Sequence, residues 1–293
     1  MAGSEALSLG NLSLADVAGA LALSSGAGWN QTADDWAYFI QQGHAVGFRT
    51  PAGRLVATAA ALLYGGGLGW ISMVLVTPEW RHRGLASLLV ENCIRRLQAA
   101  HITPVLDATP AGAPVYKHLG FRAGFDLERW EGLGTGTTAG SVPPGDLTGA
   151  AAPSDVRSAD ASDLGAMAAL DQAANGIGRR ALLHNLLARH GTQAWIARDR
   201  SGFAVARAGH RAIQLGPLVA SAPAGALALL GTALRALTGP VFLDVPTRWS
   251  ELARRLEQLS FKRQRPYVRM SLGAATPLAC GDRVFVLAGP EFG

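Results

Sequence analysis

The sequence predicts an α/β chain made of two similar halves, and three observations predict it. Apolar runs of strand length alternate with stretches of helical periodicity through most of the 293 residues. The segment Pro104-Val-Leu-Asp-Ala-Thr-Pro110 is matched by Pro240-Val-Phe-Leu-Asp-Val-Pro246. Each is followed by a helical stretch and then by Leu119-Gly-Phe121 or Leu259-Ser-Phe261, as a duplicated fold would require. Between the halves lies Leu133–Ser154, rich in Gly, Thr, Pro and Ala with Pro143-Pro144 at its middle, which reads as a linker. The expected division is residues 1–132, a linker over 133–154, and residues 155–293.

The elements follow in order. Ser13 caps a helix to Leu23 with Val17, Ala20 and Leu21 on one face. Thr32 caps a second, Ala33–Gln42, with Asp34 and Asp35 in its first turn and Trp36, Phe39 and Ile40 inward. His44–Thr50 and Arg54–Tyr64 are strands about a Pro51-Ala-Gly53 turn, and Trp70–Val76 is a third. A helix runs from Gly84 to about Ala100, with Leu85, Leu88, Leu89, Cys93 and Leu97 toward the core and Glu91, Asn92, Arg95 and Arg96 toward water. Pro104–Ala108 is a buried strand, Pro110–His118 a short helical segment, and Phe125–Trp130 a strand. The second half reads as helices Asp160–Ala174 and Arg179–Arg189, then strands Gln193–Ala197, Phe203–Ala208 and Ile213–Val219. A helix Leu227–Leu237, a strand Val241–Val245 and a helix capped by Ser250 follow, and Phe261 opens the closing strands.

Composition narrows the function. A chain that is 49% hydrophobic and 16% charged can bury large cores and is not disordered as a whole. Its net charge of +5 comes mainly from dispersed arginines, with no lysine run or aromatic–basic alternation, so nucleic acid is not an expected partner. Leu55–Val76 is a 22-residue stretch without a charge, but Gly65-Gly-Gly67 and Gly69 interrupt it, so two buried strands are expected and not a membrane span. The N-terminal residues, with Glu5 and Asp16, lack the basic-then-apolar order of a signal peptide. Cys93 and Cys280 stand far apart, and His184 and His190 do not share a helical face, so neither a disulfide nor a metal is expected. A reducing, cytoplasmic setting follows.

The chemistry concentrates between Trp70 and Leu89. A strand ends at Thr77-Pro78, a loop carries Arg81-His82-Arg83-Gly84-Leu85-Ala86, and a helix opens directly behind it with Ser87 in its first turn. A helix N-terminus offers free N–H groups and the positive end of a dipole, which suits phosphate. Arg81 and Arg83 add charge and bidentate donors. The stretch therefore reads as a pyrophosphate cradle.

The run from Val74 to Ala86, followed some thirty residues on by Val115-Tyr-Lys-His-Leu-Gly-Phe121, resembles the GCN5-related N-acetyltransferases, the GNAT superfamily. The tandem layout is similar to a two-domain GNAT subgroup with a degenerate second domain. The resemblance implies two α/β (α+β) domains, each with a mixed, mainly antiparallel sheet flanked by helices. It also implies acetyl-CoA as cosubstrate, no metal, and a small-molecule or peptide amine as acceptor, in a monomer or homodimer. Backbone groups of Val74, Leu75 and Val76 would pair with the pantetheine arm. Arg81, His82, Arg83, Gly84, Leu85, Ala86 and Ser87 would hold the pyrophosphate. Tyr116 would protonate the departing thiolate. Trp29, Asn30 and Asp107 are candidates for the acceptor side.

Two departures stand out. Thr109 and Gly112 occupy positions where the family often has asparagine and alanine, leaving Thr109 as a cofactor contact. No acid lies on Trp70–Val76, where many members carry the glutamate that deprotonates the amine; Asp107, Glu79, Asp34 and Asp35 are the nearby alternatives. The second half lacks the arginine–glycine loop, having Gly216-Pro-Leu-Val-Ala-Ser-Ala-Pro-Ala-Gly225 instead, and is not expected to bind acetyl-CoA. An N-acetyltransferase is the expected function, with a non-catalytic CoA-binding sensor as the alternative.

Overall fold

The computed structural model describes residues 6–136, 155–273 and 280–293. The first half runs β1 (Ser8–Asn11), α1 (Val17–Gly26), α2 (Ala33–Gln42), β2 (Gly43–Arg49), β3 (Leu55–Leu63), β4 (Leu68–Val76), α3 (Leu85–Gln98), β5 (Thr103–Ala108), α4 (Ala113–His118) and β6 (Arg122–Thr135). The second half runs β7 (Val156–Ser158), α5 (Leu164–Asn175), α6 (Arg180–Ala188), β8 (Gln193–Ala197), β9 (Gly202–Arg207), β10 (Ile213–Ala220), α7 (Pro223–Ala236), β11 (Thr238–Pro246), α8 (Ser250–Gln258), β12 (Lys262–Ser271) and β13 (Val284–Val286).

Local chemistry accounts for the helix starts. Thr32 and Asp35 form a reciprocal capping box, Asp35 N–H donating to Thr32 Oγ1 at 3.4 Å and Thr32 N–H to Asp35 Oδ2 at 2.8 Å. Ser13 N–H donates to Asp16 Oδ2 at 2.7 Å across a short 3₁₀ turn, so α1 begins at Val17, later than its cap predicts. Trp249, not Ser250, caps α8. In α3 the core face is Leu85, Leu89, Val90, Cys93, Ile94 and Leu97, whereas Leu88 is 47% exposed and belongs to the solvent side. Strands β1 and β7 are additions to the sequence reading; they are short and take their order from pairing, and the closing strands after Phe261 are β12 and β13. The uncharged stretch Leu55–Val76 forms β3 and β4 as expected, and among the described residues no helix is long and apolar enough to cross a membrane. Strand β6 runs on to Thr135; the rest of the expected linker, residues 137–154, lies outside the described residues, as does Glu5.

All described strands belong to one mixed, mostly antiparallel sheet, ordered β1-β2-β3-β4-β5-β12-β6-β11-β10-β9-β8-β7 with β13 against β10. The halves exchange their late strands. β12, from the second half, lies beside β5 of the first, and β6, from the first, lies beside β11 of the second. β6 and β12 pair with each other at the centre. The cores record the exchange: Met270 of β12 packs in the cluster under α3, and Trp130 of β6 packs in the cluster under α7. Two buried ion pairs also cross between halves. Arg269 faces Asp107 and Arg129 faces Asp244, each with two N–H···O bonds of 2.8 Å.

Each half contains a split between two parallel strands. β4 pairs with β5 only over Leu68–Trp70, and beyond that point it keeps β3 alone as partner. Its register with β3 shifts there, and Met73 takes a left-handed φ of 55°. β10 pairs with β11 only at Ile213 and Gln214, with a matching shift before Leu218. The second split is filled: β13 pairs with β10, and Leu287 N–H donates to the Asp244 carbonyl on β11 at 2.9 Å. The first split is open. From β13 the chain continues through Ala288–Gly293 into the first half, where Phe292 stacks on Phe39 at 5.1 Å.

Candidate active site

The open split holds a cavity of about 890 Å³. Ile71–Val76 of β4 form one wall, and Leu106, Asp107 and Thr109 of β5 and the loop beyond it face them. The loop to α3 contributes Arg81, His82 and Gly84–Ser87; α4 contributes Tyr116. Trp29 and Gln31 enter from the α1–α2 connection, and Arg129, Arg265, Tyr267, Pro290 and Glu291 from the exchanged strands and the closing segment.

The cradle is built by backbone. Gly84 is the N-cap of α3 at φ 75° and makes no side-chain cap bond. A side chain there would be strained by about 1–2 kcal/mol, and it would project into open space, with no atom within 4 Å of a Cβ. The N–H groups of the first helical turn are thus left for a ligand. Arg81 is steadied by donating from Nε to the Val76 carbonyl at 3.1 Å. Arg83 stands apart from the cavity lining: its guanidinium lies 4.5 Å over Trp80 and donates to the Glu79 carbonyl.

Tyr116 lines the cavity with its ring edge-on to Phe121 at 6.1 Å. Burial pushes its phenol above the usual value, so it stays protonated and able to donate. Gly112 makes room for the ring, since a Cβ there would come within 2.9 Å of Tyr116 Cε2. The Thr109 hydroxyl accepts from Gly112 N–H at 3.2 Å, so part of its bonding capacity is spent on the turn into α4.

On the acceptor side the candidates separate. Trp29 lines the cavity. Asn30 does not. Its Oδ1 accepts from the N–H groups of Arg211 and Ala212 at 2.9 and 3.0 Å, and its Nδ2 donates to the Ala212 carbonyl, fastening the first half to the β9–β10 hairpin. Asp107 reaches the cavity, but both its oxygens accept from Arg269; burial raises its pKa and that guanidinium opposes the rise. Glu79 is on the surface, paired with Arg54. Asp35 is bound to Arg189 at 2.6 Å and to its own cap, and Asp34 is exposed.

Gln31, Ser72 and the residues from the exchanged strands and closing segment escape the sequence reading. Gln31 and Ser72 line the cavity, and Gln31 Oε1 and Ser72 Oγ are buried with no hydrogen-bond partner among the described residues. Gln31 directly follows Trp29 and Asn30, which the sequence singles out, but nothing local marks Glu291.

The model for the acetyltransferase (GNAT) family matches residues 23–121, and that for an acetyltransferase (GNAT) domain matches residues 167–285. The chain belongs to the GNAT superfamily, as a tandem of two GNAT domains. An uncharacterized N-acetyltransferase of Bacillus subtilis, YitH, is 26% identical over 251 residues, covering 84% of each chain. A Pyrococcus horikoshii crystal structure, solved as a candidate acetyltransferase, matches with a TM-score of 0.79 at 16% identity, covering 100% of this chain and 98% of its own. A tandem GNAT protein from the clavulanic acid biosynthesis pathway matches at 0.63 with 13% identity, over 92% of this chain and all of its own. These two structures share the fold with the present GNAT protein. Among the described residues no group of three or more His, Cys, Asp or Glu side chains could hold a metal ion.

Proposed function

We propose that the protein transfers the acetyl group of acetyl-CoA to an amine by direct attack, without a covalent enzyme intermediate. One observation carries the reading. Past Trp70, β4 lacks its β5 partner and lines, up to Val76, a cavity that meets the N-terminus of α3. The residues fit the cosubstrate. A pantetheine arm carries amide groups that suit the backbone edge of Val74–Val76 that β5 leaves unpaired, and its pyrophosphate suits the N–H groups from Gly84 to Ser87 with Arg81 and His82 beside them.

Acetyl-CoA supplies an activated acyl thioester when bound. The protein supplies position and protons. The cleft walls align the thioester, which converts a bimolecular encounter into an oriented one. The Tyr116 hydroxyl donates its proton to the sulfur as the C–S bond breaks. Cys93 is unsuited as a nucleophile, because it is buried under α3 and its thiol is pushed up to about 12. Both cysteines are free and buried, in keeping with a reducing, cytoplasmic location.

The test combines calorimetry with thiol release over a panel of small amines, aminoglycosides and peptides. Wild type should bind acetyl-CoA and release CoA thiol with at least one acceptor. Tyr116→Phe should lower kcat by roughly 10²-fold or more, the scale of general acid catalysis, and leave acetyl-CoA affinity nearly unchanged. Tight binding with no transfer to any acceptor would assign the protein as a CoA-binding sensor instead.

A further inference from the structure

The cavity lining contains two carboxylates, Asp107 and Glu291. Asp107 has both oxygens committed to Arg269, itself 0% exposed, and is occupied in joining β5 to β12. Glu291 is different. Its Oε1 accepts from Arg207 Nη2 at 2.8 Å, and its Oε2 takes no hydrogen bond from the described residues. It therefore keeps lone pairs for another partner.

The backbone around Glu291 is fixed on both sides. Trp70 Nε1 donates to the Pro290 carbonyl at 3.0 Å, Tyr64 Oη to the Phe292 carbonyl at 3.0 Å, and Arg207 Nη1 to the Ala288 carbonyl at 2.6 Å. Arg179, held in a buried pair with Asp171, donates to the carbonyls of Phe292 and Gly293. Gly289, at φ 135°, lets the chain curl so closely that a Cβ there would meet the Glu291 carboxylate at 2.7–2.8 Å. This much anchoring is what a preorganised catalytic group requires.

We propose that Glu291, delivered into the first half's cleft by the closing segment of the second half, is the general base that takes the proton from the acceptor amine. The inference rests on the acetyltransferase reading. The amine lone pair forms the N–C bond to the acetyl carbon, and the C–S electron pair leaves with the sulfur. Sulfur then takes the Tyr116 proton and Glu291 takes the surplus N–H proton. Solvent exchange restores both side chains. The missing acid on β4 is thereby replaced from another strand system. The electrostatics agree with the geometry. Burial lifts Glu291 above the ordinary carboxylate range and so strengthens it as a base; Arg207 and Arg129 pull it down, and Asp35 and Asp244 push it up.

The test uses the full chain and Glu291→Gln, Glu291→Asp and Arg207→Gln variants. Glu291→Gln should lower kcat by about 10²-fold near neutral pH with acetyl-CoA affinity kept, and Glu291→Asp should recover part of the loss. Arg207→Gln removes a charge that lowers the Glu291 pKa. It should move the acid limb of kcat/KM to higher pH, because the base must lose its proton before it can act; a merely structural role would not move that limb. Independently, difference infrared spectroscopy of the ligand-free wild type against Glu291→Gln should show a carboxyl that titrates above the usual glutamate value. Wild-type kcat and pH profile in Glu291→Gln, or an ordinary glutamate titration, would overturn the proposal. A wild type that transfers acetyl to no amine would instead overturn the acetyltransferase reading, and the infrared titration would still decide whether Glu291 is poised as a base.

Discussion

Asp107 and Asp244 show what a buried carboxylate means in this fold. Both occupy the same place in the two halves, and each is matched by an arginine opposite it on the neighbouring strand, Arg269 and Arg129. Neither pair has the water that would make loss of one partner cheap: all four side chains are at most 6% exposed. Arg269→Ala should therefore cost about 3–5 kcal/mol, because Asp107 would remain charged and buried; urea unfolding followed by circular dichroism measures it. At this scale the sequence was readable where chemistry is local. The glycine and arginines read as a cradle lie within a few residues of each other, so spacing alone marks them; Arg81 and Gly84 line the cavity and Arg83 does not. Asn30 shows the limit, since a turn asparagine beside Trp29 suited a pocket on paper but serves the β9–β10 hairpin, some 180 residues away in the chain.

The two clefts are best compared as elements. Each half bends its fourth strand away from its fifth, and only one bend leaves room. In the second half Val284, Phe285 and Val286 are all buried between β10 and the strand beyond, and Trp249 stacks on Phe285 at 4.1 Å. The second half has no arginine–glycine loop after β10 and its split is occupied by β13, so we propose that it binds no acetyl-CoA. Calorimetric titration should accordingly give one acetyl-CoA per chain, and a stoichiometry of two would contradict this account. The bounds and partner of β13 were illegible in the sequence for a physical reason: three residues carry too little periodicity to stand out, and their partner strand lies more than sixty residues earlier. The same argument covers the far end of β6, whose Gly134 reads as linker and whose Gly132 stands just before it. Added Cβ atoms at these two positions would fall within 2.4 Å of the Phe261 ring and 2.3 Å of the Leu237 carbonyl, so the glycines allow close packing inside a strand.

For the whole molecule, the exchange of β6 and β12 makes the halves interdependent. Residues 1–136 expressed alone would have β5 and β6 without β12 between them, and would expose the edges of both. That fragment should aggregate or elute as large oligomers on size exclusion, whereas mixing it with residues 155–293 during refolding should restore a discrete species of the full chain's size. A well-folded monomeric fragment would show that the exchanged strand is dispensable. The duplication was visible in the sequence because repeated strands carry repeated residues. The crossing was not, because β5 and β11, the strands flanking the crossed pair, are apolar strands of similar pattern, and pattern does not say which of two equivalent neighbours a strand will choose.

The filled cleft has one more meaning. β13 is a length of extended polypeptide lying lengthwise in the split of its own half, paired with β10, in the place where the first half has a cavity. A groove that closes over part of its own chain is complete by itself, and the segment that closes it is free to run on to the other half, where Pro290 and Glu291 join the lining of the open cavity.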